Sequence, residues 1–82
     1  MSQIKILYFG MFEEKTGTSN ETWEIPENGI SVSDFENELL KKYPGFAQMS
    51  YTIAVNKQIN TNKATSLSEN DEIAILPPFA GG

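Results

Sequence analysis

The residues of this sequence that could take part in chemistry are found mainly by elimination. Its 82 residues include no cysteine and no histidine, so no side-chain thiol or imidazole is available as a nucleophile, a base or a metal ligand. Glu13 and Glu14 are adjacent in a polar stretch, where a solvated face is expected rather than a paired general acid and base. If the chain handles sulfur or acyl groups, the C-terminal carboxyl must carry them.

The end of the sequence is suited to deliver that carboxyl into a narrow site, and it reads Pro77-Pro78-Phe79-Ala80-Gly81-Gly82. The two prolines fix φ and favour an extended path, while the two glycines leave the last peptide unit thin. At roughly 3.3 Å per residue, six extended residues reach about 20 Å. The alternative is that a glycine-rich terminus is incidental.

Charge and hydropathy exclude several classes of partner. The formal net charge is −5, from 6 Lys and Arg against 11 Asp and Glu, so nucleic acid and anionic membrane are repelled and a charged protein partner is expected to be basic. The first twelve residues lack a basic n-region and a small-residue cleavage site. No apolar run approaches the roughly 20 residues that span a bilayer. We expect a cytoplasmic protein of one small domain.

The first half of the sequence predicts a hairpin followed by a helix. Strands are expected over residues 3–10 and 20–26, joined by a single helical turn that ends at Gly17. Helical spacing of apolar residues between Ser31 and Tyr43 predicts the main helix. Two capping patterns, one from Ser31 and one from Ser33, leave its first residue undecided.

Period two divides the first strand into two faces. The better core candidates are Ile4, Ile6 and Tyr8. Leu7 and Phe9 make the opposite face partly apolar, which indicates either additional burial or a surface for a partner.

The second half predicts two more strands in a polar background. Residues 51–55 form the first, followed by a tight turn at 56–57 and a very short strand at 58–59. The range 60–71 is polar and turn-rich, with Leu67 as its one anchor. Residues 72–76 read as a buried central strand, and Pro77 should end its pairing.

These elements predict an α+β fold in which one main helix covers a mixed sheet, the order of a β-grasp or ubiquitin-like domain. Residues 1–76 are expected to form that domain, and residues 77–82 an extended C-terminal tail.

Several segments together resemble the small subunits of molybdopterin synthase, a family of ubiquitin-like sulfur carriers. The resemblance spans nearly the whole chain and is carried by the opening Ile-Lys-Ile-Leu-Tyr-Phe-Gly, the Ala54-Val55-Asn56 strand, residues 71–76 and the Pro-Pro-Phe-Ala-Gly-Gly ending. The ending is its most specific motif, since a lone diglycine would be weak.

The resemblance implies the following chemistry. An ATP-dependent, ubiquitin-activating-like adenylyltransferase adenylates the carboxyl of Gly82, and a sulfur donor converts the adenylate to a thiocarboxylate. The tail then enters the large synthase subunit, in an expected heterotetramer of two small and two large subunits, and sulfur passes to cyclic pyranopterin monophosphate. The chain itself is expected to bind no metal and no cofactor; the ATP is used by its partner.

Roles for individual residues follow from this chemistry. Gly82 carries the reacting carbonyl, Gly81 lets the backbone pass, and Phe79 is a candidate anchor in a partner pocket. The whole segment Pro77, Pro78, Phe79, Ala80 and Gly81 is expected to insert, and Phe9, Leu7 and Leu76 are the candidate partner interface.

Two other functions remain open at this point. One is a carrier for thiamine, cysteine or transfer-RNA thiolation, or a modifier attached to protein lysines. The other is a β-grasp interaction module whose diglycine is incidental, because fold alone does not determine function.

Overall fold

The computed structural model describes residues 2–78. Within this range, seven strands and three helical segments follow one another in this order: β1 Ser2–Tyr8, α1 Met11–Thr16, β2 Asn20–Ile25, β3 Ile30–Ser31, α2 Val32–Lys42, a 3₁₀ helix Pro44–Gln48, β4 Thr52–Val55, β5 Gln58–Ile59, β6 Ser66–Leu67 and β7 Glu72–Leu76.

Five of the strands form one mixed sheet in the order β2-β1-β7-β4-β5. β1 pairs antiparallel with β2 and parallel with β7. β4 pairs antiparallel with both β7 and β5. This arrangement confirms the predicted hairpin, the late return strand beside β1 and the α+β β-grasp architecture.

The core lies between one face of the sheet and α2. Ile4, Ile6 and Tyr8 are buried as predicted, because alternation along β1 turns them toward the helix. The rest of this core cluster comes from both helices, the 3₁₀ helix and the later strands: Phe12, Ile25, Val32, Phe35, Leu39, Phe46, Ile53, Leu67, Ile73 and Ile75. Trp23 is only partly buried and packs on Phe35 with ring centroids 5.3 Å apart.

Local signals position both helices. The hydroxyl of Ser31 accepts a hydrogen bond of 3.0 Å from the backbone N–H of Asp34, so the helix start that the sequence left undecided is at Ser31. α1 ends at Gly17, whose φ of 80° is left-handed and whose N–H bonds the carbonyl of Glu13. The turn predicted at Asn56 and Lys57 has positive φ at both residues, as a tight hairpin requires.

Three segments differ from the sequence prediction. β1 ends at Tyr8 rather than at residue 10, because Gly10 turns the chain with a φ of 59° and becomes the residue before α1. The connector predicted at 46–50 is largely a 3₁₀ helix that begins at Pro44. The polar range 60–71 contains β6, which pairs with β3. The interpretation of Leu67 as an anchor is confirmed, since it is fully buried.

Candidate functional site at the root of the tail

The C-terminal segment leaves the sheet from its middle strand. β7 lies between β1 and β4 and ends at Leu76; Pro77 is half-buried and Pro78 is exposed. The last bond on the β1 side joins the N–H of Phe9 to the carbonyl of Ile75 at 3.1 Å. The other predicted tail residues, Phe79, Ala80, Gly81 and Gly82, lie outside the described residues.

Gly10 lies against the root of the tail. A Cβ built on it would be 3.1 Å from Cγ of Pro77, tighter than ordinary van der Waals contact. Its φ of 59° and ψ of −132° also belong to a region that side chains disfavour. Glycine is therefore required at position 10 for two reasons: a side chain would crowd Pro77, and the backbone conformation disfavours one.

The face of the sheet opposite α2 is apolar next to this root. In one row across the strands, Leu7 lies opposite Ala74, Ala74 opposite Ala54, and Ala54 opposite Ile59. Leu76 lies one row nearer the tail, paired with Thr52, and Phe9 follows β1 beside it. We call this surface the outer face.

The structure brings the three predicted interface residues together on the outer face. Leu7 and Leu76 are half-buried, and Phe9 is 43% exposed. Within residues 2–78 the buried side chains of the helices all belong to the core on the opposite face. Phe9 is therefore accessible on the outer face while Leu7 and Leu76 are partly covered, and the assignment of these residues to a partner interface stays a prediction.

Sequence reasoning did not include Ile59 in this surface, although it is 50% exposed. A signal was present, because a two-residue turn at Asn56 and Lys57 fixes the register of the hairpin. That register sets Ile59 opposite Ala54 and on the outer face. Met11 is equally exposed, but it belongs to α1 and not to the sheet.

A cluster of polar side chains on the inner face attaches the end of α2 to the hairpin. The carboxylate of Glu21 accepts hydrogen bonds from Lys42 and Trp23, both at 2.7 Å, and from the hydroxyl of Tyr43. Burial alone would raise the pKa of Glu21, but these donors outweigh it and hold the pKa below its ordinary value. Burial, reinforced by Glu21, raises the pKa of both Tyr8 and Tyr43.

Two kinds of feature are not found among the described residues. Across residues 2–78, no three acidic side chains come together in a way that could hold a metal ion. Within that same range, no helix is long and apolar enough to cross a membrane. Glu13 and Glu14 are exposed on α1, as expected of a solvated face.

Sheet order, helix placement and an exit for the C-terminus at the middle strand define a ubiquitin-like β-grasp domain. The comparisons with known proteins agree with this class. The profile of the ThiS family matches residues 6–82. The molybdopterin synthase sulfur carrier subunit of Mycobacterium tuberculosis is 34% identical, with 100% of each chain covered. That of Homo sapiens is 31% identical, covering 100% of this chain and 97% of the relative.

Solved structures show the same fold. A Pyrococcus furiosus protein assigned as subunit 1 of molybdopterin converting factor superposes with a TM-score of 0.85 at 26% identity, covering 96% of this chain and 100% of that one. Small archaeal modifier protein 1 from Methanosarcina acetivorans gives a TM-score of 0.77 at 27% identity, with 100% and 98% covered. A chain in the complex of subunits 1 and 2 of molybdopterin-converting factor from Helicobacter pylori gives 0.70 at 22% identity, with 98% and 99% covered.

The chain therefore belongs to the ThiS family and, within it, to the molybdopterin synthase sulfur carrier subunits.

Proposed function

We propose that this chain carries sulfur as a thiocarboxylate on Gly82 and donates it in molybdopterin synthesis. The observation that carries the proposal is the exit of the C-terminal segment, at Pro77, from the middle of the sheet beside an uncovered apolar face. A partner that binds the outer face has the root of the tail at the edge of its contact surface. Membership of the sulfur carrier family supports the same function.

The chemistry requires activation because a carboxylate is a poor electrophile. An adenylyltransferase joins the Gly82 carboxylate to AMP and releases pyrophosphate from ATP. Sulfide supplied by a sulfur donor then attacks the acyl carbon and AMP leaves, which makes the thiocarboxylate. Its sulfur is a good nucleophile at neutral pH and bonds to a carbon of cyclic pyranopterin monophosphate as an oxygen substituent leaves that carbon. Water then cleaves the acyl–sulfur bond, which returns the carboxylate and leaves the sulfur on the substrate.

Two kinds of partner follow from this sequence of steps. One is the ubiquitin-activating-like adenylyltransferase, and the other is the large synthase subunit that receives the tail. The Helicobacter pylori complex, in which subunit 1 is bound to subunit 2, supports the second partner. We propose a heterotetramer of two small and two large subunits. Leu7, Phe9 and Leu76 form the centre of the proposed contact, with Ile59 at its far side.

The proposed role of the tail is to pass through a narrow opening in the partner. Gly81 and Ala80 add almost no bulk, and Pro77 and Pro78 limit the backbone entropy lost on insertion. Phe79 supplies the one large apolar group and is proposed to fill a pocket in the partner. This polypeptide is then a reagent that a partner enzyme uses, and the reaction is catalysed by the partner.

Intact-mass analysis after incubation with the activating enzyme, ATP and a sulfur source tests the proposal. The expected product has one oxygen replaced by sulfur at Gly82. Deleting Gly82, or adding one residue after it, should abolish the change while the circular dichroism spectrum stays the same. The proposal would be contradicted if the mass of this chain stayed unchanged while the same activating enzyme, shown to be active on another sulfur carrier, was present.

A modifier function is the second candidate, and the likeness to small archaeal modifier protein 1 favours it. Both functions begin with adenylation of Gly82, so adenylation does not distinguish them. Isopeptide-linked targets recovered from cells, without any thiocarboxylate, would favour the modifier. If the sulfur goes instead to a thiazole, cysteine or transfer-RNA pathway, the identity of the large protein that co-purifies with the chain would show which pathway it is.

A further inference from the structure

A second surface lies on the other side of the hairpin, away from the root of the tail. β2 is an edge strand of the five-stranded sheet, and a groove of about 710 Å³ runs between it and α2. Its lining residues come from both elements and their connection and include Trp23, Glu24, Ile25, Ile30, Asp34 and Glu38. Nothing in the proposed sulfur carrier function uses this groove.

The edge of β2 offers backbone groups to another strand. Tyr8 and Ser19 are a hydrogen-bonded pair, since the N–H of Tyr8 bonds the carbonyl of Ser19 at 2.9 Å. Antiparallel pairing alternates, so Thr22 and Glu24 turn their N–H and C=O groups away from β1. Within residues 2–78 these four groups have no hydrogen-bond partner.

The open part of the edge is short and has defined ends. At one end, the N–H and carbonyl of Asn20 are already bonded to the hydroxyl of Thr18. At the other end, Pro26 has no N–H to donate. A strand of about five residues therefore fits opposite residues 21–25.

Side chains of such a strand would alternate between the groove and the outer face. Residues opposite Ile25 and Trp23 would point into the groove, where Ile25 is buried and Trp23 is half-buried. Apolar side chains fit there. The residue between them would lie on the outer face opposite Glu24, an exposed carboxylate with no ion pair among the described residues.

The charged residues around the groove indicate the charge of the middle residue of the bound strand. The lysines that line the groove are occupied: Lys41 is 3.3 Å from Glu38, and Lys42 is 2.7 Å from Glu21. Among the charged residues that line the groove, the two without an ion pair, Glu24 and Asp34, are both acidic. A basic residue is complementary to Glu24, whereas a second copy of this chain would bring another net charge of −5 to the same edge.

We propose that β2 binds an extended segment of a partner protein, antiparallel, with the pattern apolar–basic–apolar. Thr22 and Glu24 supply the main-chain hydrogen bonds, and the groove between β2 and α2 receives the two apolar side chains. Strand addition at a sheet edge is a general mode of peptide recognition. This surface is separate from the proposed tail contact, so both can be occupied together.

The probe is the blocked peptide Thr-Val-Arg-Val-Thr, titrated into the full chain. Trp23 is the only tryptophan of the sequence, so its fluorescence reports the groove directly. We expect a saturable change in its emission and slower hydrogen exchange at the amides of Thr22 and Glu24. No saturable change, or amide shifts confined to Leu7 and Phe9, would overturn the proposal.

Two substitutions sharpen the test. Glu24→Arg should invert the preference between this peptide and its Thr-Val-Asp-Val-Thr counterpart, with the affinity ratio moving by about tenfold. Thr22→Pro removes one donor that faces away from β1, so the fold is retained while binding weakens. Glu14→Arg, which makes the same charge change on α1, should leave the ratio unaltered.

If Glu24→Arg leaves the ratio of the affinities for the two peptides unchanged, the assignment of a basic residue opposite Glu24 is overturned. Concentration-dependent protection of the Thr22 and Glu24 amides without peptide would overturn the choice of partner, since it would show a second copy at the edge.

Discussion

Gly10 lies at the root of the tail, where an added Cβ would be 3.1 Å from Cγ of Pro77. We predict that Gly10→Ala slows loading of Gly82 with sulfur, because the new methyl group displaces Pro77 and changes the direction in which the tail leaves. Strain at positive φ should also lower stability by about 1–3 kcal/mol. Rates of thiocarboxylate formation and thermal unfolding measure the two effects separately.

Gly17→Ala is the matched control for this prediction. Its φ of 80° is also positive, but it lies in the left-handed α region, where a side chain is strained less, and nothing lies within 4 Å of the added Cβ. The variant should lose about 1 kcal/mol of stability and load at the normal rate. Normal loading by Gly10→Ala would show that the contact with Pro77 does not guide the tail.

Glu21 determines part of the acid stability of the fold. Its pKa is lower in the folded chain than the ordinary value of 4.5, against the opposing effect of burial and through donors from Lys42, Tyr43 and Trp23. A lowered folded pKa contributes stability above the unfolded pKa, and the contribution is lost as pH falls through the folded pKa. Acidification below pH 4.5 should therefore weaken the attachment of α2.

Glu21→Gln should remove this pH dependence and cost about 1–2 kcal/mol at neutral pH, because charged hydrogen bonds are replaced by weaker ones. Urea unfolding between pH 3 and pH 7 measures it. Glu24→Gln, on the same strand but exposed, is the control and should change little. Equal losses for both variants would contradict the role of the Glu21 cluster.

At the scale of elements, α2 depends on its cap. Ser31→Ala should destabilise the chain by about 1 kcal/mol, since the N–H of Asp34 loses its acceptor. Ser33→Ala removes the same hydroxyl from the other candidate cap, two residues on, where the side chain is exposed. Thermal unfolding of both variants is the measurement, and a larger loss for Ser33→Ala would contradict the assigned helix start.

The elements also show what the sequence can predict. Period two in β1, helical spacing in α2 and the buried run in β7 are strong local patterns, and each was predicted close to its observed bounds. The pairing of β3 with β6 was not predicted, because two-residue strands have no period and depend on a contact between Ile30 and Leu67 that is distant in sequence.

The candidate site also has residues that were predicted from the sequence and residues that were not. Alternation along β1 predicted that Leu7 and Phe9 share a face, either buried further or free for a partner, and Leu76 was named with them as a candidate interface residue. Ile59 could have been added from the register of its hairpin, which the two-residue turn sets. Gly10 gains its significance only from a tertiary contact, with Pro77 beyond β7. Such contacts follow from sheet order, which the local sequence does not encode.

At the scale of the whole molecule, the outer face and the tail are proposed to act as one contact surface. Phe9→Ser should weaken binding to the large subunit or the adenylyltransferase by about tenfold, a typical cost for truncating an aromatic anchor. Its stability should change little because the side chain is 43% exposed. Isothermal titration calorimetry with either partner is the measurement.

Comparing Ile59→Ser with Met11→Ser tests whether partner binding depends on position on the outer face or only on the exposure of an apolar side chain. Both residues are 50% exposed, but only Ile59 lies on the outer face. We expect weaker binding from Ile59→Ser and unchanged binding from Met11→Ser. The reverse order would place the contact on α1 rather than on the sheet.

The most direct test of the sulfur carrier function is the mass of the C-terminal peptide of the chain isolated from its own cells. The account predicts a fraction in which the carboxyl of Gly82 has one oxygen replaced by sulfur, and loss of that fraction when the adenylyltransferase is deleted. A C-terminus that is only carboxylate, or only joined to lysine side chains of other proteins, in cells that are actively making molybdopterin would contradict it.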